Sequence, residues 1–553
     1  MPPVARSFMA HATPLSVLWL KIPRPARAAA VCLTRRLSRP SSADHRAIIL
    51  LLGYAILWTV STEVENLGLP LHGDMLEAFA LSRVPAFGYP KHPPLLDWVT
   101  AAWFAVFPVA AWSFYFLALG NAALAMWLVW LASGHVVDRR RRILAVALLG
   151  LTPIFTFHAA VYNNNTVQLP LWPLVALLFF VSIERTRLIW SILFGAACGL
   201  AMLGKYYAGL IVLACMLAAL LHPDRRSYFR SARPYLAAAT CVIVLAPNLY
   251  WLIRHDFISI TYHVLAEQRR VAMGGSNHAL TIIFRSIVVV AAFIGSLSPA
   301  LVALWLCLRP FTVAMARTIA RDWPVRRATV GCIAFAPIVL PLVLMPLAGI
   351  ASRDPWNYPA YFFVPLAIVS APGLVVTYRA TVAIVGAVAA VTLLVLAVSP
   401  LLMVANFIVA KDEDAAPLGT LARIATDEWH SRTGQPLEFV NGSARLAWAV
   451  TFYSTDHPRT APDSNDDMSR AELEKFWNEK GVLGICGAVE LWCNEVFEKA
   501  LPAAQRMQIT VANRFLGLHR APVSYMLYLQ PKRHIEQRRT LGPNQVAPAG
   551  SAP

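Results

Sequence analysis

The feature that most constrains this chain is a succession of long apolar runs separated by short charged loops. Of its 553 residues, 58% are hydrophobic and only 14% are charged, whereas a soluble domain is about one quarter charged. Many of the runs reach the roughly 20 residues that cross a bilayer as a helix. The composition therefore excludes a soluble globular fold and predicts a mainly α, polytopic membrane protein.

The arginines are grouped in the short loops between these runs. Asp138 is followed directly by four arginines, Arg139 to Arg142, and the loop at 222–233 holds four more. Cytoplasmic loops of membrane proteins carry an excess of Lys and Arg. This rule accounts for the net charge of +18, so we predict no nucleic-acid partner.

Testing the loops by their charge gives about eleven spans, with the N-terminus in the cytoplasm and the C-terminal region outside. A shorter apolar stretch at 95–109 predicts an interfacial or half-inserted helix. The predicted spans are residues 47–61, 113–136, 143–158, 166–183, 188–203, 208–221, 235–253, 280–308, 328–350, 358–376 and 381–404.

Changes in composition divide the chain into four regions. Residues 1–44 are basic and Pro-rich, and we expect a disordered cytoplasmic tail. Residues 45–405 form the transmembrane domain, with a polar external loop at 63–97 that carries the candidate site. From 406 to 530 Asp, Glu and Asn reach ordinary frequency, which predicts a small periplasmic α/β domain. Residues 531–553 predict a second disordered tail.

The C-terminal domain alternates between strand and helix patterns. Strands are predicted at 437–440, 447–453, 481–486 and 507–512, and helices at 468–480 and 488–501.

The eight cysteines fall into different environments. Cys486 and Cys493 are the only cysteines of the C-terminal domain, and the periplasm is oxidising. A disulfide between them is therefore one expectation, and two buried thiols are the other. The cysteines in apolar runs are expected to be packing residues; they are Cys198, Cys215, Cys241, Cys307 and Cys332.

The external loop contains two carboxylates that could do acid–base chemistry. Asp74 and Glu77 are three residues apart, so on a helix they would share one face. A carboxylate in a cleft at the membrane surface can take a proton from a hydroxyl group, which makes Asp74 a candidate catalytic base. The alternative is that Asp74 caps a helix. Glu77 could orient Asp74, bind a cation or be solvated.

Several cations lie on the predicted external side and depart from the positive-inside bias. Lys91 and His92 precede a Pro-Pro pair in the external loop, while Lys205 and Arg353 lie at the ends of spans. A lipid phosphate at the outer interface would account for all four. A lone ammonium at the membrane boundary is costly unless it is paired. The alternatives are interfacial anchoring for Lys91, His92 and Lys205, and an ion pair with Asp354 for Arg353.

Further polar and aromatic residues on this side are candidates for a substrate groove. For each of them, packing at the membrane interface is the alternative. Asn163 to Asn165 also suits a turn. The groove candidates are Asn164, Tyr206, His255, Trp356 and Tyr358.

Taken together, these motifs resemble the polyprenyl-phosphate-sugar-dependent glycosyltransferases of the GT-C superfamily. This superfamily includes the protein O-mannosyltransferases, the aminoarabinose transferase of lipid A and the rhizobial galacturonosyltransferases. Asp74 matches the Asp that is the proposed base in the first external loop of those families. Lys91-His92-Pro93-Pro94-Leu95 matches their charged pair before Pro-Pro-Leu, with His92 where the aminoarabinose branch has Lys.

Two further positions carry the resemblance. Lys205 matches a Lys at the end of the corresponding span in the lipid A branch, where it contacts the lipid phosphate. The stretch from Arg353 to Tyr358 resembles the charged residue and Tyr-x-x-Pro that open a late span. The resemblance implies that Lys91, His92, Lys205 and Arg353 bind the donor phosphate.

The implied function is that of an inverting glycosyltransferase at the periplasmic face of the bacterial inner membrane. It would move a sugar from a polyprenyl-phosphate donor to a cell-envelope glycolipid, a polysaccharide or a protein hydroxyl. The resemblance identifies no required cofactor, and the use of a divalent metal is left open. The alternative function is a transporter or flippase of lipid-linked sugars. Transporters place charged groups near the midplane and show repeats, and this sequence has no visible repeat, so the enzyme is favoured.

Overall fold

The computed structural model describes residues 43–262, 278–307, 325–350, 353–371, 374–412, 414–460 and 470–532. The predicted tails at 1–44 and 531–553 lie almost wholly outside the described residues. Within them the chain forms two compact units. The first holds Met1–Val64, Ala86–Leu96 and Ala110–Pro400, and the second holds Glu65–Pro85, Asp97–Val109 and Leu401–Pro553.

The helices up to the last long apolar segment are numbered in chain order. They are α1 (Ala43–Glu65), α2 (Gly73–Ser82), α3 (Leu95–Phe104), α4 (Ala111–Ser133), α5 (Arg139–Leu149), α6 (Gln168–Glu184), α7 (Leu188–Gly204), α8 (Gly209–Leu221), α9 (Arg225–Phe229), α10 (Arg233–Arg254), α11 (His278–Cys307), α12 (Val325–Leu347), α13 (Val364–Val369) and α14 (Tyr378–Val409).

Six of the described helices are long and apolar enough to cross a membrane, and a seventh span results if one bent pair is counted together. Four more apolar helices are shorter than a typical span and lie at Leu95–Phe104, Gln168–Glu184, Leu188–Gly204 and Tyr206–Leu221. The mainly helical, multi-pass architecture is thus as expected. The count of eleven spans stays a prediction.

Two predicted spans are interrupted rather than continuous. The one at 143–158 ends its regular helix at Leu149 and continues as two short 3₁₀ turns, with a bend of 78°. Pro153 explains the break, because proline lacks the N–H group of a helix interior and its ring clashes with the preceding turn. The other, at 358–376, is a 3₁₀ segment at Asp354–Phe363 followed by the six-residue helix α13. Pro359 and Pro365 lie within it.

The irregular segment before α13 is enclosed by protein. Tyr361, Phe362 and Phe363 are fully buried and belong to the main hydrophobic core. Non-helical backbone at membrane depth is tolerated where protein surrounds it. This burial allows polar residues at the start of the segment to approach the neighbouring helices.

Glycines on α7 allow a close approach of α10. A Cβ atom on Gly195 would lie 2.1 Å from the carbonyl oxygen of Ala237, and one on Gly199 would lie 2.7 Å from the Cβ of Val244. Small residues are the usual means of close helix packing in membranes. The contact brings the C-terminal end of α10 towards the end of α7, where Lys205 lies.

The C-terminal region contains a small α/β arrangement. Its elements are α15 (Leu418–Thr433), β1 (Phe439–Gly442), α16 (Ala444–Tyr453), β2 (Arg459–Thr460), α17 (Arg470–Lys480), β3 (Val482–Gly487), α18 (Leu491–Ala500), β4 (Gln505–Val511), β5 (Arg514–Phe515), β6 (Leu518–His519) and β7 (Val523–Gln530).

Five of these strands form one mixed sheet in the order β2-β1-β3-β7-β4. β1 runs parallel to both β2 and β3, whereas β7 is antiparallel to β3 and β4. The rings of Trp477, Phe497 and Tyr528 stack at about 5.3 Å beside the sheet. A small C-terminal region that combines helices with a sheet is therefore confirmed.

One secondary-structure prediction in this domain is wrong. Residues 447–453 were expected to be a strand but belong to α16, which spans Ala444–Tyr453. Short apolar runs do not distinguish a strand from a buried helix, and here Ala447, Ala449, Val450 and Phe452 are buried on the helix. The strand β7, which pairs with two neighbours, was not predicted at all.

The second unit also contains the part of the 63–97 loop that carries Asp74. Helix α2 packs on α16, with the ring of Phe79 lying 5.1 Å from that of Phe452. Phe104 completes the contact, also 5.1 Å from Phe79. Residues 65–85 are thus built into the C-terminal unit, an association that hydropathy does not indicate.

Cys486 and Cys493 lie where β3 ends and α18 begins. Their Cα atoms are 5.9 Å apart and their sulfur atoms are bonded, and this Cα separation suits a disulfide. Cys198 and Cys215 are buried as free thiols in the helical unit.

We expect this disulfide in the purified protein. Maleimide labelling of the denatured chain should add two more groups after reduction than before it, as counted by intact-mass spectrometry. In Cys486→Ser the partner thiol is released, so Cys493 should label without reduction. The same number of labels with and without reductant would contradict the bridge.

Candidate active site

Asp74 lies in the first turn of α2. The residue before the helix, His72, accepts a hydrogen bond at Nδ1 from the Asp74 backbone N–H group at 3.2 Å. The capping role that was the alternative for Asp74 is therefore taken by His72. The Asp74 side chain is 40% exposed, so a substrate hydroxyl can reach it. A carboxylate in the first turn is also favoured by the helix dipole.

Glu77 lies one turn further along α2 but in a different environment. Its side chain is only 8% exposed, so a solvated role for Glu77 is wrong. The apolar face of α2 packs into the unit and carries Glu77 inwards with Met75, Leu76 and Ala78. Of the two carboxylates, Asp74 is the one open to solvent.

The start of α2 is tethered to α16 and to the loop after it. The Leu71 N–H group donates to the hydroxyl oxygen of Tyr453 at 2.8 Å. At the other end of the helix, Arg83 donates from Nη2 to the carbonyl oxygen of His457 at 3.3 Å. These contacts fix the direction of the helix that carries Asp74.

In the helical unit, Lys205 lies at the junction between α7 and the 3₁₀ turn before α8. Its Nζ donates to Oδ1 of Asn165 at 2.6 Å. The same Nζ lies 5.0 Å from the ring centroid of Trp356 and 5.8 Å from that of Tyr207. An amide and two aromatic rings therefore contact the ammonium and stabilise it.

Arg353 approaches the same tryptophan. Its guanidinium carbon is 5.8 Å from the centroid of the Trp356 ring. The structure therefore brings together Lys205 and Arg353, which are far apart in the sequence, around one indole. The side chain of Asp354, the alternative partner of Arg353, lies outside the described residues.

Hydrogen bonds hold this arrangement in place. The Tyr207 hydroxyl donates to Oδ1 of Asn357 at 2.7 Å, and Nδ2 of Asn357 donates to the carbonyl oxygen of Arg353 at 3.1 Å. Asn357 is buried. Its amide therefore links Tyr207, which lies two residues after Lys205, to the backbone of Arg353.

The asparagine run forms the turn that its sequence predicts. Oδ1 of Asn163 accepts from the backbone N–H groups of Asn165 and Thr166 at 2.9 and 3.1 Å. The turn presents Asn165 to Lys205. Asn164, the residue predicted for the groove, has a buried Oδ1 without a hydrogen-bond partner among the described residues. Sequence reasoning missed Asn165, because three identical residues gave no basis for choosing among them.

Lys91 and His92 lie in a tight loop whose backbone closes on itself. The N–H groups of Tyr89 and His92 donate to each other's carbonyl oxygens at 3.1 and 3.3 Å. The His92 ring is buried with Nδ1 3.0 Å from the carbonyl oxygen of Pro93. Lys91 is partly exposed.

This loop is hydrogen-bonded to α10, and the same residue of α10 is hydrogen-bonded to Tyr206, which follows Lys205 in the chain. Nδ2 of Asn248 donates to the carbonyl oxygen of Phe87 at 2.7 Å, and its Oδ1 accepts from the Tyr206 hydroxyl at 2.8 Å. Asn248 is fully buried and was not predicted. The sequence did offer a signal for Asn248, because it lies inside a long apolar helix and a buried amide requires hydrogen-bond partners.

The remaining groove candidates have defined contacts. The ring of His255 stacks on that of Trp251, with 4.0 Å between the ring centroids. The Trp251 ring in turn lies against Gly88, in the loop that carries Lys91. The Tyr358 hydroxyl is 3.3 Å from Nδ1 of His158. For metals, the part of the chain that the structure describes contains no group of three or more His, Cys, Asp or Glu side chains suited to one ion.

Some of the candidate residues fall within a known family model. Residues 91–251 match the model described as dolichyl-phosphate-mannose-protein mannosyltransferase. The matched stretch contains Lys91, His92, Asn164 and Lys205, whereas Asp74 and Arg353 lie outside it.

One curated relative is the lipopolysaccharide core galacturonosyltransferase RgtB of Rhizobium johnstonii. The two are 25% identical over 307 residues, which is 53% of this chain. The match spans 58% of the length of the relative.

Solved structures share the fold over most of the chain. The crystal structure of ArnT from Cupriavidus metallidurans bound to undecaprenyl phosphate has a TM-score of 0.52 at 15% identity, and its apo state has 0.50 at 14%. Each match covers 87% of this chain and 97% of the solved one. These proteins are members of the GT-C superfamily. The predicted resemblance is therefore confirmed, and the chain is a membrane protein with the GT-C fold.

Proposed function

We propose that this protein is an inverting glycosyltransferase that uses a polyprenyl-phosphate-linked sugar. The acceptor would be a hydroxyl group of a cell-envelope glycolipid, a polysaccharide or a protein, at the periplasmic face of the inner membrane. The observation that carries the proposal is the convergence of Lys205 and Arg353 on the ring of Trp356.

Two cations held around one ring are best explained by an anion that they share. Like charges repel strongly where the local dielectric is low. A phosphate group would relieve the repulsion and would accept charge-assisted hydrogen bonds from both side chains. The ArnT structure of the same fold was solved with undecaprenyl phosphate, which supports a polyprenyl phosphate as this anion.

The chemistry then needs one base. Asp74 takes the proton of the acceptor hydroxyl as that oxygen attacks the anomeric carbon of the donor sugar. The bond between that carbon and the phosphate oxygen breaks, and the phosphate leaves as an anion. Because the leaving group is already a stable anion, no second carboxylic acid is required, in contrast to glycoside hydrolysis. A single displacement inverts the configuration of the sugar.

The descriptions of the matched family and of the relative favour an enzyme over a transporter. One is described as a mannosyltransferase and the other as a galacturonosyltransferase.

The first test is Asp74→Asn, which keeps the size of the side chain and removes the base. Turnover should fall by roughly 10²–10⁴-fold while binding of the donor lipid is retained. Turnover is measured as transfer from a labelled polyprenyl-phosphate sugar to envelope material. Asp414→Asn is a matched control in the same unit, because its exposed pair with Arg445 at 3.5 Å contributes little. Near-normal turnover in a folded Asp74→Asn protein would remove Asp74 as the base.

The second test is the pair Lys205→Ala and Arg353→Ala. Each should weaken binding of undecaprenyl phosphate by about 10–100-fold, because a charge-assisted hydrogen bond is lost, and each should also lower turnover. If both side chains hold one phosphate, the double variant should lose less than the sum of the two single losses. Arg187→Ala, an exposed position before α7, should bind the lipid normally. Strictly additive effects would place the two cations on different ligands.

The third test concerns topology. A reporter that is active only in the cytoplasm should be inactive when it is fused after Lys411, because the C-terminal unit is expected to be periplasmic. The same reporter fused after Arg187, in a predicted cytoplasmic loop, should be active. Activity at Lys411 would place the C-terminal unit in the cytoplasm and contradict the predicted number of spans.

A further inference from the structure

A cavity of about 350 Å³ opens on the surface of the C-terminal unit. It lies between α15 and the end of α16, and its lining includes Thr420, Arg423, Asp427, Tyr453 and Thr455. Small-molecule sites occupy ~300–1,000 Å³, so the cavity is large enough for a small ligand. None of the predicted site residues lines it.

One face of α15 supplies the polar groups of this cavity. Thr420, Arg423 and Asp427 are spaced so that they project from the same side of the helix. Arg423 and Asp427 are exposed to the opening. By contrast, Arg432 at the end of the same helix is engaged by Glu428 at 3.2 Å and by Gln505 at 2.8 Å. Arg423 is therefore placed to meet a ligand.

A hydrogen bond joins the two helices at the floor of the cavity. Thr426 is buried and donates from its hydroxyl to the Oγ of Ser454 at 2.8 Å, which joins α15 to the end of α16. A ligand would thus meet a preformed surface, and less binding energy would be lost in ordering it.

The cavity is also connected to the helix of the proposed base. Tyr453, one of its walls, accepts the hydrogen bond from the Leu71 N–H group. Leu71 is three residues before Asp74 in the chain. All of these residues belong to one compact unit.

We propose that this cavity binds an anionic saccharide group of the acceptor, a sugar that carries a carboxylate or a phosphate. The inference rests on the proposed glycosyltransferase function and assigns its acceptor a second contact besides Asp74. Arg423 would hold the anionic group in a forked contact. Asp427 and the threonine hydroxyls would bind sugar hydroxyl groups, and the ring of Tyr453 would offer an apolar wall.

Gly419 allows the cavity to be blocked without disturbing the fold. It is exposed and lines the opening, and a Cβ atom there would come no closer than 3.8 Å to the Tyr453 ring. Gly419→Leu would therefore fill the space, and leucine favours a helix more than glycine does. The variant leaves Arg423, Asp427 and the Tyr453 hydrogen bond in place.

The experiment uses the full chain in lipid nanodiscs and saturation-transfer NMR. The probes are D-galacturonate, α-D-glucose 1-phosphate and neutral D-galactose, which separate a carboxylate from a phosphate and both from an uncharged sugar. At least one anionic probe should bind more tightly than galactose. Arg423→Gln should weaken that probe by about tenfold or more, and Gly419→Leu should abolish its signal. Lys475→Gln removes an exposed cation of the same unit that pairs weakly with Glu479, and it should bind like the unchanged protein.

Equal signals from all three probes, no binding of either anionic probe, or the same loss in Lys475→Gln would overturn the inference. The result is independent of the catalytic test. If Asp74→Asn abolishes transfer while Gly419→Leu and Arg423→Gln change no binding, the cavity assignment fails and the glycosyltransferase stands. If the anionic probes bind as expected but the Asp74 and Lys205 variants transfer normally, the proposed mechanism fails instead.

Discussion

The ammonium group of Lys205 is a charge among apolar helices, and its placement constrains the segments that surround it. A cation between apolar helices costs several kcal/mol unless polar or aromatic groups surround it, and here Asn165, Trp356 and Tyr207 do so. Its position depends on the preceding glycine, because a Cβ on Gly204 would lie 2.3 Å from the buried amide of Gln168. The helix can therefore end beside that amide, which in turn donates to the carbonyl oxygen of Ala201 at 3.0 Å.

The need of Lys205 for polar and aromatic neighbours also explains why the unit contains interrupted helices. A regular helix satisfies its own backbone and presents few polar groups, whereas the segments around Pro153 and Pro359 free the chain to turn. The break at Asp354–Phe363 places Trp356 and Asn357 against Tyr207, while Tyr361 and Phe363 fill the core behind them. Buried aromatic packing thus offsets the loss of regular hydrogen bonding, and a polar cluster becomes possible inside an apolar bundle.

The C-terminal region does more than extend the chain past the last long helix. Arg520 donates to the carbonyl oxygens of Phe407 and Ala410, at 2.7 and 2.6 Å, and so closes the C-terminal end of α14. Helix α2 buries Phe79 against Phe452 of the same unit. Removing this region would therefore expose the apolar face of the helix that carries Asp74. The segment is part of the candidate catalytic machinery through packing.

The sequence by itself determined what depends on local composition. The apolar runs required a multi-pass helical protein, the motifs from Asp74 to Leu95 and around Lys205 pointed to the GT-C fold, and the polar C-terminal stretch predicted a small domain with a sheet. Tertiary structure decided which side chains meet. It paired Lys205 with Asn165 rather than Asn164, joined Arg353 to Lys205 through Trp356, buried Glu77 and made a helix of residues 447–453. Hydropathy is a property of each segment alone, whereas these neighbours arise only when distant segments pack, and no local pattern records that packing.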